Sequence, residues 1–165
     1  MELDEAKQKF IQAWGTLGSN WGINRTMAQV HALLLISSEP LCADDIMEML
    51  KISRGNANMN IRALIDWGLV FKELRAGERR EYFVGEKEMW NVVRQIITQR
   101  KKKELEPVIK VLADVSEIEG DSLEREAFLT VINDIQKFAH KADKTLDKLI
   151  KSDSNWLLST FMKMM

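Results

Sequence analysis

Chain breakers are scarce in this sequence. Eight glycines and two prolines in 165 residues are about half the share of an average protein. That scarcity disfavours collagen, low-complexity disorder and an all-β sandwich, and it implies long helices. A single cysteine, Cys42, excludes an internal disulfide framework and a zinc site of several cysteines. No stretch approaches the ~18 uninterrupted apolar residues of a membrane span. The start, Met1-Glu2-Leu3-Asp4-Glu5, lacks the basic and apolar run of a secretory leader, so a soluble cytoplasmic protein is expected. Neither sign of charge dominates: 24 Lys and Arg stand against 25 Asp and Glu, for a net charge of −1. Any nucleic-acid contact must therefore come from a local patch. The motifs of phosphate loops, nucleophile elbows, zinc proteases and dinucleotide sites are missing. No enzyme activity, catalytic residue, cofactor or metal is expected.

What is present is helical periodicity. Phe10, Ala13, Trp14 and Leu17 fall on one helical face, and the glycines at 15, 18 and 22 predict fraying after it. Asn24 is a candidate N-cap for a helix carrying Met27, Val30, Leu33 and Leu34, with Pro40 beyond its end. A short helix over 43–50 points Ile46, Met49 and Leu50 inward, with Asp44 and Asp45 in its first turn. After Lys51-Ile52-Ser53, the residue Ser53 caps a helix that runs to Trp67. Ala57, Ile61, Leu64 and Ile65 form its apolar stripe, and Gly68 follows its end. Residues 69–74 and 80–84 read as two strands joined by a charged turn.

A second helical region starts near Lys87. Met89, Trp90, Val93, Ile96 and Ile97 continue, past a basic run at 100–103, into Val108, Ile109, Leu112 and Val115. Pro107 either kinks one long helix or starts another. Beyond a Gly120-Asp121-Ser122 turn, Phe128, Ile135, Ala142 and Leu149 repeat every seven residues, the pattern of a coiled-coil seam. That seam serves a dimer, packs on the 87–117 helix, or does both. A terminal amphipathic piece holds Trp156, Leu157, Thr160 and Phe161.

This order of elements describes a mainly α protein: a winged helix-turn-helix, with a three-helix core and a β-hairpin wing, followed by long C-terminal dimerisation helices. Residues 1–22 are expected to support the core or the dimer, 23–85 to form the DNA-binding domain, and 86–165 a dimerisation and effector region. Away from its apolar stripe, the helix after Ser53 presents Arg54, Gly55, Asn56, Asn58, Met59, Asn60 and Arg62. Three asparagines in five residues are poor for helix propensity. An asparagine amide can, however, donate and accept together at an adenine edge, while arginine serves guanine or phosphate. The hairpin tip adds Arg75, Arg79 and Arg80. Residues 51–80 carry a net +4 and residues 1–50 a net −4, so positive charge is concentrated on the expected reading unit.

The stretch Trp21-Gly22-Ile23-Asn24-Arg25-Thr26, the run from Ala32 to Leu41, Ser53-Arg54-Gly55-Asn56 through Val70, and Gly77-Glu78-Arg79-Arg80-Glu81-Tyr82-Phe83 before Met89-Trp90 resemble the MarR superfamily. The similarity is greatest to its glycine-betaine-synthesis-type (GbsR-like) branch. The resemblance covers about residues 10–100. It implies a homodimer that binds a pseudo-palindromic double-stranded operator, with repression as the default and a small-molecule effector. It also implies recognition-helix roles for Ser53, Arg54, Asn56, Asn58 and Met59, and wing roles for Arg79 and Arg80. The competing reading is a winged-helix module for protein–protein interaction without DNA binding.

Other signals are weaker. The basic run 100–103 precedes a segment, 104–126, with eight acidic and two basic residues, so an internal charge match is as good a reading as a nucleic-acid contact. Trp14, Trp21, Trp67 and Trp90 are the residue type of a quaternary-ammonium cage, but tryptophan at helical spacing is more often core. His31 and His140 lack partners at metal spacing and read as structural. Cys42, ahead of a helix, reads as a small buried residue rather than a redox sensor.

Overall fold

The computed structural model describes residues 1–155, 159, 162 and 163. The expected piece at Trp156, Leu157, Thr160 and Phe161 lies outside them. The elements run α1 (Leu3–Asn20), α2 (Arg25–Ile36), β1 (Leu41–Cys42), α3 (Ala43–Leu50), α4 (Arg54–Asp66), β2 (Val70–Leu74), β3 (Glu81–Gly85), α5 (Met89–Arg100), a π-helical turn (Lys101–Leu105), α6 (Glu106–Ser116) and α7 (Leu123–Lys151). This is the winged-helix order. The chain divides into two compact units, Met1–Val92 and Val93–Met165.

In the first unit α2 is the central helix. Seven of its residues, from Met27 through Leu34, are buried, and an element apolar on most sides must be covered by neighbours. Asn24 caps it as expected, its Oδ1 accepting from the Met27 N–H at 3.1 Å. At the other end the Lys87 ammonium donates to the carbonyls of Leu34, Leu35 and Ser37, each at 2.7 Å. It satisfies acceptors that the last helical turn leaves open.

Helix α1 departs from the sequence reading. It does not fray at Gly15 but continues to Asn20, and Gly22 sits beyond its end at φ +76°. The two inner glycines are places of close approach. A Cβ on Gly15 would lie 2.7 Å from Gln29 Cγ, and one on Gly18 would lie 2.6 Å from Ala28 Cβ. The buried face is accordingly Ile11, Gly15 and Gly18. Ala13 and Leu17 are exposed, not inward as the apolar spacing predicts. Where the helices touch, backbone proximity outweighs side-chain hydrophobicity.

The Trp14 indole N–H donates to His31 Nδ1 at 3.3 Å, and the Trp14 ring also lies against Phe10. His31 is buried on α2, and burial lowers its pKa to about 4. Its Nδ1 accepts, so the neutral ring carries its proton on Nε2, which has no hydrogen-bond partner. Trp67 is buried and Trp21 is exposed.

Helix α3 matches its expected bounds. Ile46 is fully buried but Met49 is exposed, because it lines an open hollow floored by Ile11 and Leu33 instead of entering the core. Lys51 makes the helix-turn-helix corner in the left-handed region, at φ 54° and ψ 46°. Strands β2 and β3 pair antiparallel from Val70↔Gly85 to Leu74↔Glu81. The two-residue β1 adds to the other side of β3 through Leu41↔Phe83 and Cys42↔Tyr82, giving the order β1-β3-β2.

Gly85 closes β3 against α2. A Cβ there would lie 2.9 Å from both the carbonyl carbon and the oxygen of Leu34. Neither atom belongs to a side chain that can turn aside. Gly85→Ala is expected to cost about 2–3 kcal/mol in urea denaturation, whereas Gly55→Ala, where a Cβ meets nothing within 4 Å, is expected to be neutral or slightly stabilising. Equal effects in the two variants overturn this packing account.

In the second unit helix carries on through Pro107. The Glu106 N–H donates to the carbonyl of Lys101, five residues back. This widened turn accommodates a proline that lacks an N–H and crowds the preceding turn. The basic run is largely matched internally. Arg100 makes two 3.1 Å hydrogen bonds to Glu104, and Lys101 lies 3.0 Å from Asp143 and 3.2 Å from both Asp147 and Glu106. These carboxylates raise the Lys101 pKa still further above its ordinary value.

Ser122 caps α7 by accepting from the Arg125 N–H at 3.1 Å. Helix α7 packs on α6, with Leu112 and Ala139 buried. The first half of the heptad stripe and its neighbours are more open: Phe128, Val131, Ile135 and Phe138 are 42%, 57%, 44% and 77% exposed. Ala142 and Leu149 of the same heptad are half-buried, and Ala142 shares a hollow with Ile97 and Leu105, so the second half of the seam lies toward the preceding helix. The neighbouring stripe of Ile132, Ala139 and Leu146, half-buried or buried, is the more covered one. Among the described residues no helix is long and apolar enough to cross a membrane.

Candidate nucleic-acid interface

Three elements of the first unit converge at the N-terminus of α4. Ser53 Oγ accepts from the Asn56 N–H at 3.2 Å, fixing the start of the helix. Arg54, Gly55, Met59 and Arg62 are exposed, and Asn56 and Asn58 are half-buried. The space around Gly55 is open, so backbone can approach a ligand closely there. Helix propensity alone does not explain this composition. An exposed start with free backbone N–H groups and basic side chains is suited to phosphate.

Asn60 is the exception among the expected residues. It is only 3% exposed. Its Nδ2 donates to the Asn56 carbonyl at 2.9 Å and to Asn56 Oδ1 at 2.7 Å. Asn60 lies three residues after Ala57 and four before Leu64, on the stripe that faces the core. The structure therefore takes it off the accessible face on which the sequence placed it.

Beside α4 the hairpin tip carries Arg79 and Arg80, both exposed. Arg75 is tied down within the hairpin: its guanidinium sits 4.0 Å from the centre of the Tyr82 ring and 3.6 Å from Glu73. The Tyr82 hydroxyl donates to Glu78 at 2.6 Å, which raises its pKa. Lys72 and Glu81 pair across the strands at 2.7 Å. These contacts stiffen the wing and leave Arg79 and Arg80 as its outward cations.

A cleft of about 290 Å³ joins these parts, with Arg54 and Asn58 of α4 on one wall and Arg79 and Arg80 of the wing on the other. Thus four expected residues from two separate elements line one concavity. Arg62 and Met59 lie on the exposed face of α4 outside that lining. The sequence reading missed Asp44, also in the lining. Asp44 Oδ1 accepts from Arg54 Nη2 at 2.6 Å, across the helix-turn-helix corner. No local pattern announces a pair ten residues apart, though an acidic first turn facing a basic one was a usable hint.

Cys42 lies at the foot of this cleft, buried. Its thiol and its backbone N–H both hydrogen-bond the Asp45 carboxylate, the latter at 2.8 Å. Together with the charge of Arg80 they hold the Asp45 pKa below its ordinary value, against the opposing effect of burial. The thiol has a structural role at the α3 N-terminus. Among the described residues no three His, Cys, Asp or Glu side chains gather as metal ligands would.

Comparison with known proteins gives three findings. Residues 21–81 match the family model of the MarR family, a span that includes the helix-turn-helix and most of the wing. No curated protein matches the sequence. A solved structure described as a transcriptional regulator superposes with a TM-score of 0.67 at 16% identity, over 88% of this chain and 95% of that one. At that identity the likeness establishes the fold.

Proposed function

We propose that this chain is a homodimeric, sequence-specific DNA-binding transcriptional regulator. Helix α4 reads a major groove, and the wing holds the flanking backbone or minor groove. The observation that carries this reading is the shared cleft in which Arg54 and Asn58 meet Arg79 and Arg80. Cations contributed by both the reading helix and the hairpin are what a duplex backbone requires. The match of residues 21–81 to the MarR family and the transcriptional regulator of the same fold support it. The sequence resemblance to the GbsR-like branch supports repression as the output and control by a small molecule.

The exposed apolar stripe of α7 supports the dimer. Phe128, Val131, Ile135 and Phe138 follow the three- and four-residue spacing of a two-helix seam and keep about two-fifths or more of their surface exposed within one chain. A two-fold axis would set two copies of α4 in successive major grooves about 34 Å apart, which calls for a pseudo-palindromic operator.

Fluorescence anisotropy tests this reading, with duplex from the region upstream of the protein's own coding sequence, random duplex as control, and two salt concentrations. Tight, salt-sensitive binding that favours the upstream duplex is expected. Arg79→Ala is expected to weaken binding to both duplexes about threefold to tenfold and to reduce the salt slope by about one. Asn56→Ala is expected to change sequence preference instead. Absence of binding to either duplex overturns the proposal and favours a protein-interaction module. Identical losses by the two variants on both duplexes overturn the assignment of their roles.

A further inference from the structure

The Asn56–Asn60 pair fixes more than helix geometry. The backbone carbonyl of Asn56 can only accept, so the Asn60 atom 2.9 Å from it is the amide nitrogen. The second hydrogen of that nitrogen points to the Asn56 side chain at 2.7 Å, where only the oxygen can accept. Hydrogen-bond chemistry thus orients both carboxamides. The Asn56 backbone N–H is also committed, to Ser53 Oγ. With its oxygen turned toward a buried neighbour, Asn56 has its NH2 group as the uncommitted donor facing a ligand at this exposed helix start.

We propose that Asn60 is a positioning residue for sequence readout: it holds Asn56 as a hydrogen-bond donor, so that Asn56 selects a base edge rich in acceptors. This rests on the DNA-reading function proposed above. Bidentate recognition of adenine needs an asparagine that donates to N7 and accepts from the N6 amino group. In this arrangement the oxygen keeps a second lone pair but is turned toward the buried Asn60, so the amino group and not the oxygen leads toward a base edge. Guanine, with O6 and N7, and thymine, with O4, offer acceptors alone on the hydrogen-bonding major-groove edge. The asparagine-rich helix therefore reads a keto base at this position, against the simplest expectation from its residue types.

Selection from a randomised duplex library followed by sequencing tests the assignment. Comparing the wild-type protein with N56A identifies the base position that Asn56 contacts. At that position the wild type is expected to favour guanine or thymine over adenine about fivefold to tenfold. N60L, close in size but unable to donate, is expected to lose that preference and keep those at other positions. N60D, which can accept but not donate when ionised, is expected to turn the Asn56 amino group inward and shift the preference toward adenine or cytosine. Thermal melting of each variant shows whether it folds. The comparison of wild type with N56A stands without any change at Asn60.

Adenine selected by the wild type at that position overturns the inference, as does a folded N60L with the wild-type preference. A wild-type protein that enriches no sequence overturns the regulator reading itself, a result distinct from either.

Discussion

Replacing Ile135 with glutamate is expected to turn a dimer into a monomer and to reduce operator binding at least a hundredfold. Ile135 sits mid-stripe between Val131 and Phe138, 44% exposed in the single chain. In a symmetric seam each copy loses the burial of its remaining apolar surface, about 1 kcal/mol per side. Each copy also brings a carboxylate into a desolvated interface, at a further cost of about 2 kcal/mol or more unless it finds a partner. Two copies together come to about 6 kcal/mol, more than a thousandfold in the dimer dissociation constant. Operator affinity falls with it, because a linked second half-site acts through effective concentration and not through new contacts. Sedimentation velocity at micromolar protein gives the association state, and anisotropy with a two-half-site duplex gives the affinity. Asn133→Glu, on the same helix but off the stripe, is expected to leave the dimer intact. A wild-type monomer that binds the operator tightly overturns the seam assignment, as does an I135E variant that remains a dimer.

The contrast between this seam and α1 shows what local pattern conveys. Capping is local, so Asn24 and Ser53 each mark a helix start from sequence alone, and the side chain of each accepts the expected backbone N–H. The heptad on α7 is equally legible as a pattern. Its surroundings are not, because spacing says which residues share a face and nothing about what covers that face. The glycines of α1 are harder still. Gly15 and Gly18 punctuate a sequence in isolation, yet in the fold they admit α2 at distances a Cβ would not tolerate. A two-residue strand such as β1 is too short to show alternation, and it exists because β3 offers it an edge.

The candidate site divides along the same line. The bounds of α4 and the basic tip of the hairpin follow from caps, turns and charge. The Arg54–Asp44 pair and the Lys87 contacts to the end of α2 depend on chain segments that meet only after folding. Asn60 is a different case, since its spacing from Ala57 and Leu64 already placed it on the inward stripe. Residue type suggests exposure at this position, and helical position decides for burial. Polarity is weak evidence for exposure when the neighbouring helical turn supplies the hydrogen bonds.

The same balance of burial and polarity governs His31 and gives a pH-dependent stability. Its pKa is lowered by burial from the ordinary 6.5 to about 4. Below pH 6.5 the unfolded chain therefore takes up a proton that the folded chain refuses until about pH 4. Stability conferred by the neutral ring is complete above 6.5 and declines as pH falls through that window, by about 1.4 kcal/mol per unit. The loss sums to about 3 kcal/mol by pH 4. His31→Gln retains an acceptor for the Trp14 indole N–H without a titratable ring. Urea denaturation from pH 7 to pH 4 is expected to show the stability of the wild type falling toward, or below, that of H31Q, with the difference between them changing by about 3 kcal/mol. Carboxylates titrate in both proteins and cancel in that difference. Parallel stability curves for the two proteins would show that His31 charges freely in the folded chain, and the buried, neutral ring on α2 would have to be abandoned.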